Sequence, residues 1–212
     1  MRVKRNFDLV YQTQNDPWNI GNADSDRYNL YYQLVLQYSK SKRRLLDIGC
    51  GFGAFLARFK DDYGQLIGIE ISREAILKGK KRFPFITFIE GSAEHLEQVF
   101  EKPEKFDTIL YSDVISYFNE KGKTRSLEWI TDHLDVEGVA FIAAWCPGGD
   151  YLTHAELNAW SSGISKSFAR PDWIVDIQFS LVKRRGSSSL SPSITRRGNR
   201  SPTTRKSIGK RM

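Results

Sequence analysis

The sequence predicts an α/β fold, a mostly parallel sheet covered by helices. Three observations lead there. Short apolar runs alternate with amphipathic stretches from about residue 44 to residue 185. The first of these runs opens directly onto three alternate glycines, which suit a sharp strand-to-helix turn. The chain has 212 residues, 40% of them hydrophobic and 27% charged, which suits one substantial domain and excludes wholesale disorder.

Taken in order, Leu45-Leu46-Asp47-Ile48 is the first strand, and Phe55, Leu56 and Phe59 mark one face of the helix after the glycine loop. Leu66 to Ile71 is the second strand, and Ser72 caps a helix running to about Arg82. Ile86 to Ile89 is the third, leading into a helix around Leu96, Val99 and Phe100. Phe106 to Tyr111 is the fourth. The helix behind it carries Leu127, Ile130 and Leu134 at i, i+3 and i+7, and Gly138 ends the following turn. Val139 to Trp145 is a fifth, buried strand, and Thr153 with Glu156 forms a capping box. A short strand near Ile164 to Phe168 then precedes a long closing strand, Trp173 to Val182.

The two ends differ from this body. Residues 1–43 are rich in aromatics, and Tyr28, Tyr31, Tyr32 and Val35 fit one helical face. That face belongs either to a helix packed on the sheet or to a lid over a ligand site. From Gly186 to Met212 seven Lys and Arg and no Asp or Glu account for the whole net charge of +7. This tail lacks aromatics and any apolar period, so it reads as disordered, either merely solvated or an electrostatic arm for nucleic acid or anionic lipid. The pI of 9.4 therefore does not describe the body, which is neutral.

Several classes are excluded. The longest apolar run, Val139 to Cys146, is strand-sized, well short of the roughly 20 residues of a membrane span. No apolar run follows the basic N-terminus, so a cytoplasmic location is expected. Cys50 and Cys146 are too few for a disulfide framework, and no His/Cys/carboxylate spacing suggests a metal. Gly122-Lys123-Thr124 is no phosphate loop, because it follows a polar turn and position 117 is Tyr.

The segment Leu45 to Phe55 carries the chemistry. A strand ends, Gly49, Gly51 and Gly53 follow, and Glu70 stands at the tip of the next strand, 21 residues after Gly49. That spacing suits a carboxylate accepting from both ribose hydroxyls of an adenosine ligand. A dinucleotide reading uses Gly49, Gly51 and Ala54 to hold a pyrophosphate. Asp47, two residues before Gly49, opposes phosphates and suits instead a cationic ligand end, an α-amino group or a sulfonium. Cys50 lies where a helix start lowers a thiol pKa, and where small residues are also expected for packing.

Together with Glu90-Gly91-Ser92-Ala93-Glu94-His95-Leu96 and Phe106-Asp107 to Phe118, this run resembles the class I S-adenosylmethionine-dependent methyltransferases over about residues 40–185. The resemblance implies a Rossmann-like, seven-stranded, mostly parallel sheet with helices on both faces and an antiparallel last strand. With the composition of the two ends, the expected organisation is an N-terminal aromatic helical segment or lid (1–43), a methyltransferase domain (44–185) and the basic tail (186–212). The resemblance implies S-adenosyl-L-methionine as cofactor. Asp47 and Gly49 would face its methionine end, with Cys50, Gly51 and Gly53 along the loop. Glu70 would lie at the ribose, Ser92 and Ala93 at the adenine, and Ser112 and Asp113 beside the methionine portion, with Ile71 a further cofactor-binding position. Asn15-Asp16-Pro17-Trp18, with Ile115-Ser116-Tyr117-Phe118, is similar to the nodulation N-methyltransferase group, which methylates an amine of an amino-sugar oligomer.

Methyl transfer from a sulfonium is an in-line displacement, so alignment and exclusion of water supply much of the catalysis. Asp113, Tyr117 and His154 are the candidate acid–base groups for an N or O acceptor on a small molecule. The alternatives are an NAD(P)-dependent oxidoreductase and a non-catalytic protein of the same fold that binds nucleic acid through its tail.

Overall fold

The computed structural model describes residues 6–21, 26–100 and 104–143, together with the backbone of residues 177–180 and 193–196. Two helices come first, α1 (Phe7–Thr13) and α2 (Asp26–Tyr38). Five strands follow: β1 (Arg44–Ile48), β2 (Gln65–Glu70), β3 (Thr87–Glu90), β4 (Phe106–Ser112) and β5 (Leu134–Ala143). Helix α3 (Arg73–Arg82) joins β2 to β3, and α4 (Glu120–His133) joins β4 to β5. The strands are all parallel, in the order β3-β2-β1-β4-β5. Strand order therefore reverses beside β1, whose neighbours are β2 and β4. In such sheets ligands bind at that reversal, outside the carboxyl ends of the strands.

Burial explains why these runs are strands. Leu45, Leu46 and Ile48 have no exposed surface, nor do Ile109, Leu110 and Tyr111. Sheets covered on both faces give such near-continuous apolar runs. One core holds Tyr28 and Val35 of α2, Phe55, Leu56 and Phe59 after the glycine loop, and Ile76 of α3 against Leu45, Leu66 and Leu110. On the other face the Tyr111 hydroxyl donates to Ser126 Oγ of α4 at 3.1 Å. Helix α2 is thus part of the core, which favours the packing helix over the lid for the Tyr28 face. Ser72 caps α3 as its position predicts, accepting from Ala75 N at 3.2 Å.

Four expectations need correction. The helix expected after the glycine loop is a single 3-10 turn, Leu56–Phe59, because only ten residues separate Gly53 from Gly64 and they mix i→i−3 and i→i−4 hydrogen bonds. The helix around Leu96 is likewise a 3-10 turn, Leu96–Gln98. Leu134, expected in α4, is extended and opens β5, which starts early through a bulge at Glu137 (φ +63°). The sheet has five parallel strands among the described residues, not seven with an antiparallel last.

The chain divides into two compact units, residues 1–145 and 146–212. In the second, β6 (Ile177–Ser180), inside the expected closing strand, pairs antiparallel with β7 (Ser193–Arg196). Four residues of the tail expected to be disordered are therefore a strand. The expected strand at 164–168, the Thr153/Glu156 cap and Trp145 lie outside the described residues.

Candidate functional site

Gly49, Gly51 and Gly53 all adopt positive φ (77°, 59° and 81°), which lets the chain reverse at the tip of β1. The loop is tied down by its own amides. Gly49 and Cys50 N–H donate to Ile69 O at 2.8 and 3.1 Å, and Gly53 N–H donates to Cys50 O at 3.0 Å. Gly51 N–H donates to the Glu70 carboxylate at 2.8 Å, whose second oxygen accepts from Ser72 N–H at 2.9 Å. Glu70 thus clamps the glycine loop to the start of α3.

The amides of Gly49, Cys50, Gly51 and Gly53 are engaged within the protein, and no long helix starts at the loop. Both features count against the dinucleotide reading. The missing side chains at the glycines also meet protein. A Cβ on Gly51 would lie 2.5 Å from the Tyr11 hydroxyl, one on Gly53 would lie 2.7 Å from Phe88 Cζ, and one on Gly49 would meet Val114 Cγ2.

Asp47, next to last in β1, is buried. Burial, reinforced by the charge of Glu70, pushes its carboxyl up to about 7. Burial also raises Glu70, against the pull of amide donors from Ser72, Gly51 and Ile71. Cys50 is a packing residue: burial pushes its thiol well up, with Asp47 and Glu70 adding to the effect, and its sulfur fills the space a Cβ on Gly68 would need. Ile71 is exposed at the rim, Ala93 is buried, and Ser92 Oγ accepts from Glu94 N at 3.2 Å.

At the tip of β4, Ser112 Oγ is buried with no hydrogen-bond partner, the only such side-chain oxygen among the described residues. A buried hydroxyl in that state calls for a partner, a water or a ligand group. Asp113 follows with φ +59°, its N–H donating to Ala143 O at 2.8 Å, and its carboxylate pairs with Arg27 of α2 at 2.9 Å. Arg27 also donates to the Tyr28 hydroxyl at 2.6 Å and lies 4.6 Å from the centre of that ring. Tyr117 is 41% exposed and meets Phe7 edge to face, ring centroids 5.4 Å apart. His154 lies outside the described residues.

The N-terminal segment closes over the loop. Asp8 accepts from Ser72 Oγ at 2.7 Å and from Glu74 N at 3.2 Å, and Lys78 Nζ donates to Tyr11 O and Gln14 O. Tyr11 and Trp18 pack with Phe52 and Ala75. Tyr11 and Arg27 are site residues the sequence reading did not single out. Tyr11 carried only the signal of a generally aromatic segment, and Arg27 carried none. Among the described residues no group of side chains suits a metal ion, and no helix is long and apolar enough to cross a membrane.

The candidate site thus combines a parallel sheet reversing beside β1, a glycine loop clamped by an acid on β2 and an unpartnered hydroxyl on β4. The methyltransferase domain family matches residues 45–138. Over 119 residues the chain is 28% identical to the dTDP-3-amino-3,4,6-trideoxy-alpha-D-glucopyranose N,N-dimethyltransferase of Streptomyces venezuelae, covering 53% of this chain and 46% of that one. It is 29% identical over 127 residues to nodulation protein S of Azorhizobium caulinodans, covering 58% and 59%. Among solved structures it is similar to the N-methyltransferase NodS from Bradyrhizobium japonicum in complex with S-adenosyl-L-homocysteine, with 20% identity, a TM-score of 0.54 and coverage of 65% and 72%. The matched region is similar to S-adenosylmethionine-dependent methyltransferase domains. The chain spans about half the length of the curated relatives it matches.

Proposed function

We propose that the chain transfers a methyl group from S-adenosyl-L-methionine to an amine nitrogen of a small molecule, foremost an amino sugar. The observation that carries this reading is the electrostatic character of the loop. Its amides are spent on Ile69, Cys50 and Glu70, while Asp47 and Glu70 stand buried beside it. Such a site repels phosphate and accepts a ligand with hydroxyls and a cationic end.

The cofactor, when bound, supplies an activated methyl on sulfur that leaves with its bonding electron pair on the sulfur. The protein's part is to bind, orient and keep water out. Glu70 accepts from ribose hydroxyls with the lone pairs its two amide donors leave over. Ser112 Oγ gains the partner it lacks, and Asp47 faces the ammonium group. Arg27 is the guanidinium at this rim and offers its remaining N–H groups to the carboxylate. Asp113 holds Arg27 and is a positioning residue rather than a base. Tyr117 stands at the mouth, where an acceptor arrives, and Tyr11 with α1 covers the loop. The amine must be unprotonated to attack the methyl carbon, and it sheds its surplus proton afterwards. An amine does this without a strong base, which fits a site where the acid–base candidate Asp113 is already paired.

The amine acceptor is supported by the sugar N,N-dimethyltransferases of Streptomyces venezuelae and Streptomyces fradiae, to which the chain is similar. The test is incubation with a methyl-labelled donor and paired amino and hydroxyl sugars. Label appearing on the amino member alone supports the reading. Label on the hydroxyl member, or on neither sugar while the donor binds, overturns the acceptor assignment.

A further inference from the structure

Asp47 and Glu70 deserve comparison as a pair. Strands β1 and β2 run parallel with Ile48 beside Ile69, so the two carboxyls finish at one rim of the sheet. They are only 5% and 6% exposed. Glu70 is satisfied by Gly51 and Ser72 amides at 2.8 and 2.9 Å, an arrangement that favours its ionised form. Asp47 is acted on by burial and by the charge of Glu70, and both favour its protonated form.

The groups that face the pair from each surrounding element are neutral or acidic. They are the Cys50 thiol from the glycine loop, the Tyr28 phenol from α2, and the Tyr11 phenol and Asp8 from α1. Arg27, beside Tyr28, is engaged by Asp113. Two buried carboxyls without a cation of their own do not both ionise.

We infer that the pair keeps one proton in the free protein and releases it to solvent when the donor's ammonium group takes its place. This rests on the reading of the site as an S-adenosylmethionine pocket. The charge of the site is balanced before binding by the proton on Asp47 and afterwards by the ammonium, whose N–H donates to the freed carboxylate. Asp47 thereby becomes a specificity-determining residue. A ligand bringing a cation draws out the proton, and one that brings none leaves the site protonated.

The experiment is calorimetric titration of the full chain with S-adenosylhomocysteine, in two buffers of different ionisation enthalpy, at about pH 6 and about pH 9. The expected result is release of close to one proton per ligand at the lower pH and net proton uptake at the higher, where the ligand's own amine must gain a proton to bind as the ammonium. Affinity should rise about tenfold per pH unit up to about pH 7 and fall again as the free ligand's amine deprotonates. Asp47→Asn should abolish the proton release at the lower pH. 5′-Methylthioadenosine, which lacks the amino-acid end, should bind the unaltered protein with no proton release, a control that needs no variant. Equal enthalpies in both buffers at the lower pH overturn the inference while leaving the cofactor assignment standing. Proton release with methylthioadenosine, or undiminished release in Asp47→Asn, also overturns it. No binding of S-adenosylhomocysteine at any pH overturns the cofactor reading itself.

Discussion

A side chain at Gly51 tests how the N-terminal segment and the glycine loop share space. In Gly51→Ala the new Cβ would lie 2.5 Å from the Tyr11 hydroxyl, with the next neighbours, Ile20 Cδ1 and Tyr11 Cζ, at 3.6 and 3.7 Å. The backbone there has φ +59°, so alanine also incurs about 1–2 kcal/mol of left-handed strain wherever Tyr11 goes. The overlap with the hydroxyl adds about 1–3 kcal/mol, the usual cost of overpacking a well-filled site. Tyr11→Phe removes the hydroxyl and leaves an ordinary contact at the Cζ position, so in that background only the strain should remain. Urea unfolding of the four proteins of the cycle should therefore give a coupling energy of about 1 kcal/mol or more, with the double variant less destabilised than the sum of the singles. Amide exchange over Phe7–Thr13 should speed up in Gly51→Ala alone, because α1 moves to relieve the overlap. Additive stabilities within a few tenths of a kcal/mol would refute the reasoning, since the hydroxyl and the new methyl would then not be competing for one space.

Three further expectations follow from the same geometry. Arg27→Met should weaken S-adenosylhomocysteine binding about 10- to 100-fold by calorimetry, the worth of charge-assisted hydrogen bonds to a carboxylate, and should affect methylthioadenosine far less. Tyr28→Ala should destabilise the fold by about 3–5 kcal/mol in urea, and exchange over Asp26–Tyr38 should respond little to ligand, as befits a core helix. Asp107 is buried, which pushes its carboxyl up, but hydrogen bonds from Ser41, Arg43 and the Arg44 amide outweigh this and leave it below the ordinary range. Its contribution is therefore full at neutral pH and is lost as pH falls through the folded value, so Asp107→Asn should destabilise by about 1.5–3 kcal/mol at pH 7 and by progressively less in acid.

What could be read from the sequence follows the range of the forces involved. Leu45-Leu46-Asp47-Ile48 announced a buried parallel strand because burial on both faces leaves a continuous apolar run. Ser72 announced a cap because that bond spans three residues. The helix expected on Phe55, Leu56 and Phe59 had the right face and the wrong length. Periodicity reports which side is buried, not how many turns fit between Gly53 and Gly64. Leu134 continued the helical period of Leu127 and Ile130 only because the strand it opens is buried too. Helix α1 has a local signal at its cap, Asn6 accepting from Leu9 N, but too few apolar repeats to stand out. The site divides in the same way. The loop and Glu70 lie within one strand–turn–strand unit, and their spacing carried the reading. Arg27 and Asp113 meet across 86 residues, and Tyr11 reaches Gly51 across 40. No local pattern encodes such meetings; they depend on how α1 and α2 pack.

The packing of those helices bears on how the site achieves selectivity. Helix α2 is held by Tyr28 and Val35 in the core, so Arg27 is presented from a firm base, and Asp113 fixes its direction at 2.9 Å. Helix α1 is held by polar contacts at its ends, Asp8 on Ser72 and Glu74 and Lys78 on the carbonyls of Tyr11 and Gln14, and also by Tyr11, buried against Phe52 and Ala75. Withdrawing Tyr11 or Tyr28 would therefore empty packed space. Under the proposed reading α1 is a fixed cover over the loop, and α2 supplies the charge against which a ligand would be aligned. The division of labour also accounts for the acids. A rim with one guanidinium, already paired, and two buried carboxyls has room for a ligand carrying one positive and one negative group. It disfavours a polyanion on every side.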